Sequence, residues 1–185
     1  MDTLEAIKTR RSIGAVRPDP VDKQEIEKLL AAGSQAPNHY KVRPWRFNVI
    51  TGSGLKKLGD VMAESLALKT SGLSEEGLEK ERAKPLRASV IITVGVDKPT
   101  EPKISEIENI CAAAAACQNI LLAAHALGLA AIWRTGPTAL DPLVKTFLGM
   151  EKDQYLIALI YIGYPVSAPD SIDRPDFSDR TTWVE

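Results

Sequence analysis

The sequence predicts an α+β domain in which one central mixed sheet of about four strands is covered by helices. Two runs, Ser89 to Val96 (SVIITVGV) and Leu156 to Tyr164 (LIALIYIGY), are continuously apolar and rich in β-branched residues, as strands buried on both faces are. Segments with apolar residues at helical spacing alternate with these strands. The chain has 185 residues, 44% hydrophobic and 25% charged, which suits one soluble domain with a sizeable core; residues 1–185 are therefore read as a single domain.

Asp2 or Thr3 can cap a short helix carrying Leu4 and Ile7 on one face, and that helix delivers Arg10, Arg11 and Ser12 at its C-terminal end. Asp22 with Glu25 resembles a capping box. Ile26, Leu29 and Leu30 then follow helical spacing, and Gly33 reads as the stop. Between this helix and a strand from Phe47 to Thr51 lies APNHYKVRPW, a short stretch dense in cations, aromatics and proline. The residues from Glu64 to Arg87 are heavily charged and interrupted by Gly72, Gly77 and Pro85, which suggests mobile exposed helix and loop; a lid and a plain solvated connector are both open there. After the second strand comes an alanine-rich helix, then a strand from Leu129 to Trp133, a helix capped by Asp141 and opened by Pro142 that ends at Gly149, and the last strand.

Several function classes are excluded by composition. With 23 basic and 24 acidic side chains the chain lacks the positive field that nucleic acid demands. Cys111 and Cys117 lie inside the alanine-rich run, where they act as small apolar residues. The N-terminus has no apolar core of signal-peptide length, so a cytoplasmic location is expected. The stretch from Ile110 to Trp133 carries no charge and is long enough for a membrane span. Its many alanines, with Gln118, Asn119, His125 and Gly128, suit instead a helix at the centre of a globular core or a subunit interface.

Candidate chemistry narrows quickly. There is no G-x-S-x-G, and two histidines without clustered acids or cysteines offer no metal-ligand spacing, so neither a hydrolase triad nor a metal is expected. GSGLKKLG departs from G-x-G-x-x-G, since Gly59 comes five residues after Gly54; a simple strand-to-helix turn is the first choice over a Rossmann dehydrogenase. Arg10, Arg11 and Ser12 admit two readings. One is a phosphate site of forked donors and a hydroxyl; the other is a solvated helix end whose cations complement the dipole.

Taken in order, TRRS after a short helix, A-P-x-H, P-W-x-F-x-V-I, a buried strand, an alanine-rich helix, G-L-A-A-I-W-R-T-G and Y-I-G-Y-P resemble the FMN-dependent nitroreductase family, most of all its compact NAD(P)H nitroreductase subgroup. The resemblance implies an intertwined homodimer with two FMN molecules at the interface. It implies that Arg10, Arg11 and Ser12 hold the phosphate and ribityl chain, that Gln35 and His39 contribute from the loop, and that Trp133, Arg134 and Thr135 come from the other subunit. The chain departs from many relatives at Arg43 and at Ala130 and Ala131, where glutamine or asparagine and glycines are common, and at Gln35, often arginine in the compact subgroup. Arg174 and Arg180 are further phosphate candidates. The implied activity is an oxidoreductase that takes hydride from NAD(P)H onto FMN and reduces a nitroaromatic or quinone in the same pocket, with no protein nucleophile. His39 has two open roles, proton delivery or flavin packing. Flavin storage or sensing without turnover is the alternative from another class. Within enzymes, the alternatives are a dehalogenase, an enal reductase or a flavin-consuming oxygenase.

Overall fold

Every residue of β2 (Val90–Val96) is buried, because this strand lies inside the sheet and both its faces are covered. The computed structural model describes residues 1–167 and 175–185. In it β1 (Trp45–Thr51), β2, β3 (Ala130–Arg134) and β4 (Tyr155–Gly163) form a sheet of order β1-β2-β4-β3. All three pairings are antiparallel, so the expected mixed sheet is corrected to an antiparallel one. An antiparallel sheet also lacks the parallel β-α-β unit that a Rossmann site needs.

Alternate residues of the strands face two separate cores. Val90, Ile92, Val94, Ile160 and Ile162 pack with α2 (Lys23–Ser34) and α5 (Glu106–Ala126). Ile91, Leu159 and Tyr161 pack with α3 (Ser53–Lys69) and α6 (Pro142–Phe147) on the other face. Each such fully buried aliphatic side chain contributes about 1.5–3 kcal/mol. A seven-residue helix, α1 (Thr3–Thr9), and α4 (Glu75–Arg82) complete the described helices.

The local signals behave unevenly. Asp141 caps α6 by accepting from the Leu143 and Val144 amides at 2.8 and 3.4 Å, as its position before Pro142 predicts. Asp22 stands at the start of α2 but makes no side-chain capping bond, and Glu25 instead accepts from the Tyr164 hydroxyl at 2.9 Å. Gly33 is no stop: it lies inside α2, where a Cβ would come within 3.0–3.1 Å of Ile120 and Phe47. Its function is close packing of α2 on α5. The charged stretch is more ordered than its composition suggests, since α3 runs through to Lys69 and α4 docks on α3 at Gly59. Gly59, the third glycine of GSGLKKLG, thus sits in a helix against a backbone carbonyl, and Gly52 makes the simple strand-to-helix turn with φ 52°.

The alanine-rich helix α5 opens four residues before the uncharged run, through a capping box of Ser105 and Glu108. Gly128, at φ 75°, ends it in a conformation that glycine adopts without cost. With mean hydropathy 1.4 the helix is apolar and long enough to cross a membrane, but one side is packed on the sheet. Cys117 is buried there as expected, whereas Cys111 is exposed.

Candidate functional site

α1 sets the position of the cationic segment. The Asp2 carboxylate accepts from the Leu4 and Glu5 amides at 2.9 and 3.4 Å, which starts the helix. At its other end the Thr9 hydroxyl lies 2.7 Å from the Glu5 carbonyl and 2.8 Å from His125 Nε2. Arg11 Nη1 donates to the Lys8 and Arg10 carbonyls at 2.9 and 3.0 Å, so this one nitrogen serves the helix terminus. Arg10 and Arg11 are half-buried, with Arg10 Nη1 and Arg11 Nε fully enclosed, and Ser12 is exposed. Burial, followed by the nearby charges of Arg10 and Arg11, lowers the pKa of His125.

From Ser12 the chain turns along the sheet edge. The Ile13 amide donates to the Ala131 carbonyl at 3.1 Å, and a Cβ on Gly14 would lie 3.3 Å from Arg134 Nη2. The cationic segment and the end of β3 are therefore neighbours within one chain. β3 alternates: the Trp133 indole packs on the α5 face and donates to the Ile157 carbonyl at 2.9 Å, while Ile132 joins the α3 face. Arg134 lies over the Tyr161 ring, 5.3 Å from its centroid.

Here a pocket of about 310 Å³ opens between β3, β4 and α3. Its wall includes Trp133, Arg134 and Thr135, three residues singled out in the sequence, together with Met62, Lys84 and Tyr161, which were not. Lys84 is ion-paired with Glu81. The Tyr161 phenol has its pKa raised by burial, against which Arg134 acts in the opposite sense. Apolar walls with Arg134 and the Glu81-paired Lys84 among their lining residues can hold a flat ring system. Lys84 escaped sequence reading because it lies in the charged 64–87 stretch, where nothing distinguishes it from a solvated lysine.

Gln35 and His39 lie elsewhere. Gln35 ends α2 and is exposed. His39 opens a short 3-10 turn, with Nε2 3.7 Å from Glu108 at the start of α5. Glu108 has its pKa lowered, first by hydrogen bonds from Ser105 and lastly by His39. Since Thr9 meets His125 at the other end of α5, at 1.5 Å per residue about 25 Å of helix separates His39 from the Arg10–Ser12 segment. Within one chain, therefore, Trp133, Arg134 and Thr135 lie near the Arg10–Ser12 segment, and the His39 loop stands apart from both.

The His39 loop is strained. Tyr40, Lys41 and Arg43 adopt φ of 49°, 58° and 50°, left-handed conformations that cost a non-glycine residue roughly 1–2 kcal/mol each. Asn38 holds them by accepting from the Arg43 amide at 2.8 Å and donating to the Ala36 carbonyl at 3.3 Å. Of the other arginine candidates, Arg180 is exposed beside Asp179 at 3.2 Å, and Arg174 lies outside the described residues.

The model of the nitroreductase family matches residues 7–164, a span that includes both the cationic segment and the pocket. The chain belongs to the nitroreductase family. YdjA of Escherichia coli strain K12, provisionally named an NAD(P)H nitroreductase, is 30% identical over 184 residues, covering 99% of this chain and 100% of its own. Among solved structures, the nitroreductase-like family protein of Bacillus cereus is 27% identical with a TM-score of 0.86, covering 100% of this chain and 97% of that one. A Desulfovibrio desulfuricans nitroreductase homologue, described in complex with FMN, is 28% identical with a TM-score of 0.75 and coverage of 100% and 98%. Within the nitroreductase family, then, this chain shares the fold of a protein that holds FMN.

Proposed function

We propose that the protein is a homodimeric FMN-dependent oxidoreductase that takes hydride from NAD(P)H and reduces a small acceptor, such as a nitroaromatic or quinone, in the same pocket. The observation that carries this reading is the adjacency of two features: the chain just after Arg10–Ser12 runs along β3 at Ile13 and Gly14, and the end of β3 lines a pocket with Arg134 and Lys84 in its wall. The donor set suits FMN: guanidiniums and the Ser12 hydroxyl for a phosphate, an apolar wall for the ring, and cations beside it. Membership of the family and the FMN-bound relative support the same assignment.

The open side of α5 supports pairing of two chains. Ile107, Cys111, Gln118 and Ala126 are exposed and recur at intervals that place them near one face, an almost uncharged surface on a helix whose other residues are buried or half-buried. A two-fold axis crossing that face sets the two helices antiparallel. The start of one α5 then lies against the end of the other, and the partner's His39 loop meets the Arg10–Ser12 segment.

Bound FMN supplies the two-electron redox chemistry. The chain's own contribution is binding and electrostatics. Arg10, Arg11 and Ser12 anchor the phosphate; Lys84 and Arg134 favour negative charge on the ring. Met62 and Ile132 keep water from its face, and the partner's His39 closes the other side. A cytoplasmic location accords with this reading.

The test is the colour of the purified protein and its response to NADH or NADPH without air. A yellow protein bleached by either reductant and recoloured by a quinone bears the reading out, and steady turnover separates an enzyme from a flavin store. A colourless protein that FMN does not reconstitute overturns it.

A further inference from the structure

Lys41 and Arg43 are the cations near the start of α5 that the fold leaves uncommitted. Arg46 is held by Asp97 at 2.7 Å, Lys98 by Glu106 at 3.3 Å, and Lys103 lies over the Tyr40 ring, 4.2 Å from its centroid. Among the described residues, neither Lys41 nor Arg43 has a carboxylate partner, and both are exposed. Yet their backbone is not slack: three left-handed residues within four positions are held by both ends of the Asn38 amide. Strained backbone persists only where its surroundings enforce it, and it concentrates at ligand-binding segments.

We propose that this loop is an anion-recognition element: Lys41 and Arg43 of one protomer engage a phosphate or carboxylate on the substrate entering the other protomer's pocket, with the exposed Tyr40 ring as a flat surface beside it. A guanidinium fork matches either anion, and a neighbouring ammonium adds a second charge without a fixed direction. The inference rests on the FMN reading and on the antiparallel pairing of α5, since within one chain the loop is far from the pocket. The anion has two sources, the 2′-phosphate that distinguishes NADPH from NADH and a carboxylate on the acceptor.

The variants are Lys41→Asn and Arg43→Asn, singly and together, because asparagine tolerates the left-handed backbone while removing the charge. FMN content and far-UV circular dichroism establish that each variant is loaded and folded. One arm compares NADPH with NADH using a neutral quinone; the other compares 4-nitrobenzoate with nitrobenzene. The double variant is expected to lose about tenfold or more in kcat/KM for the more anionic member of one pair, as loss of a charge-assisted bond predicts, with its counterpart changed less than twofold. The pair that responds identifies the source. Equal changes within both pairs, or none, overturn the proposal while leaving the FMN reading intact. A wild-type protein that binds no FMN overturns both. Should the variants fail to fold, wild-type kinetics at low and high salt decide: screening must weaken the more anionic member of a pair selectively, and a salt-indifferent ratio in both pairs overturns the proposal.

Discussion

His125 Nε2 lies 2.8 Å from the Thr9 hydroxyl, which joins the end of α5 to the end of α1 just before the Arg10–Ser12 segment. Thr9 has one hydroxyl proton, and the Glu5 carbonyl at 2.7 Å takes it. His125 must then donate from Nε2, which leaves Nδ1 without a proton. Adding a proton there places a charge in a partly buried site facing Arg10 and Arg11, the causes that lower its pKa.

The unfolded chain therefore binds this proton more readily than the folded one. The stability that neutral His125 contributes is complete above the ordinary histidine pKa, about 6.5, and is lost as pH falls below it. We expect the melting temperature of wild type to drop more steeply than that of His125→Gln between pH 7 and pH 5. FMN retention is expected to follow the same limb, because α1 carries the cationic segment. Parallel pH profiles for the two proteins count against this link.

Gly59→Ala would ordinarily stabilise a helix interior by about 1 kcal/mol. Here the added Cβ would lie 2.2 Å from the Arg82 carbonyl oxygen, so α4 has to move away from α3. We expect a net loss of about 1–3 kcal/mol in urea unfolding, the range for overpacking a closed contact. A gain in stability would mean that α4 detaches freely, the behaviour of a lid rather than of a docked helix.

The contrast between Gly33 and Gly59 and the elements around them shows what a sequence carries. β2 and β4 were legible because a strand buried on both faces leaves an unbroken apolar run, and the Asp141-Pro142 start of α6 because its signal is local. Gly33 was misread since a glycine that ends a helix and one that admits a neighbour look alike in sequence. Strand direction and the grouping of site residues depend on distances through the fold. His39 and Arg10 are 29 positions apart in the chain, but their separation follows from opposite ends of α5. Lys84 emerges only when α4 and the turn after it bring it to β3.

The two cysteines report on the open face of α5. Cys117 is fully buried and its thiol is pushed up to about 12, so it is inert in the native protein. Cys111 is exposed on the face assigned to pairing. We expect a thiol reagent to label neither residue quickly in the native protein, and Cys111 alone in Ile107→Asp, which places a charge one turn away on the same face. Labelling is read by intact mass. Rapid native labelling of Cys111 would remove this face from the interface.

Asp141 joins two structural tasks just after the Pro137–Leu140 turn, whose Pro137 and Thr138 line the pocket. Its side chain is buried, caps α6, and accepts from Lys69 Nζ of α3 at 2.6 Å. Removing it leaves two amides and an ammonium without their acceptor, so Asp141→Ala is expected to cost about 2–3 kcal/mol in chemical unfolding. Asp141→Asn retains an oxygen for the cap and loses only the ionic bond to a half-exposed lysine, a smaller loss of about 1 kcal/mol. That ordering assigns the main role to the cap. Equal losses in the two variants would assign it instead to the Lys69 pair, which then becomes the tie that holds α3 against the pocket loop.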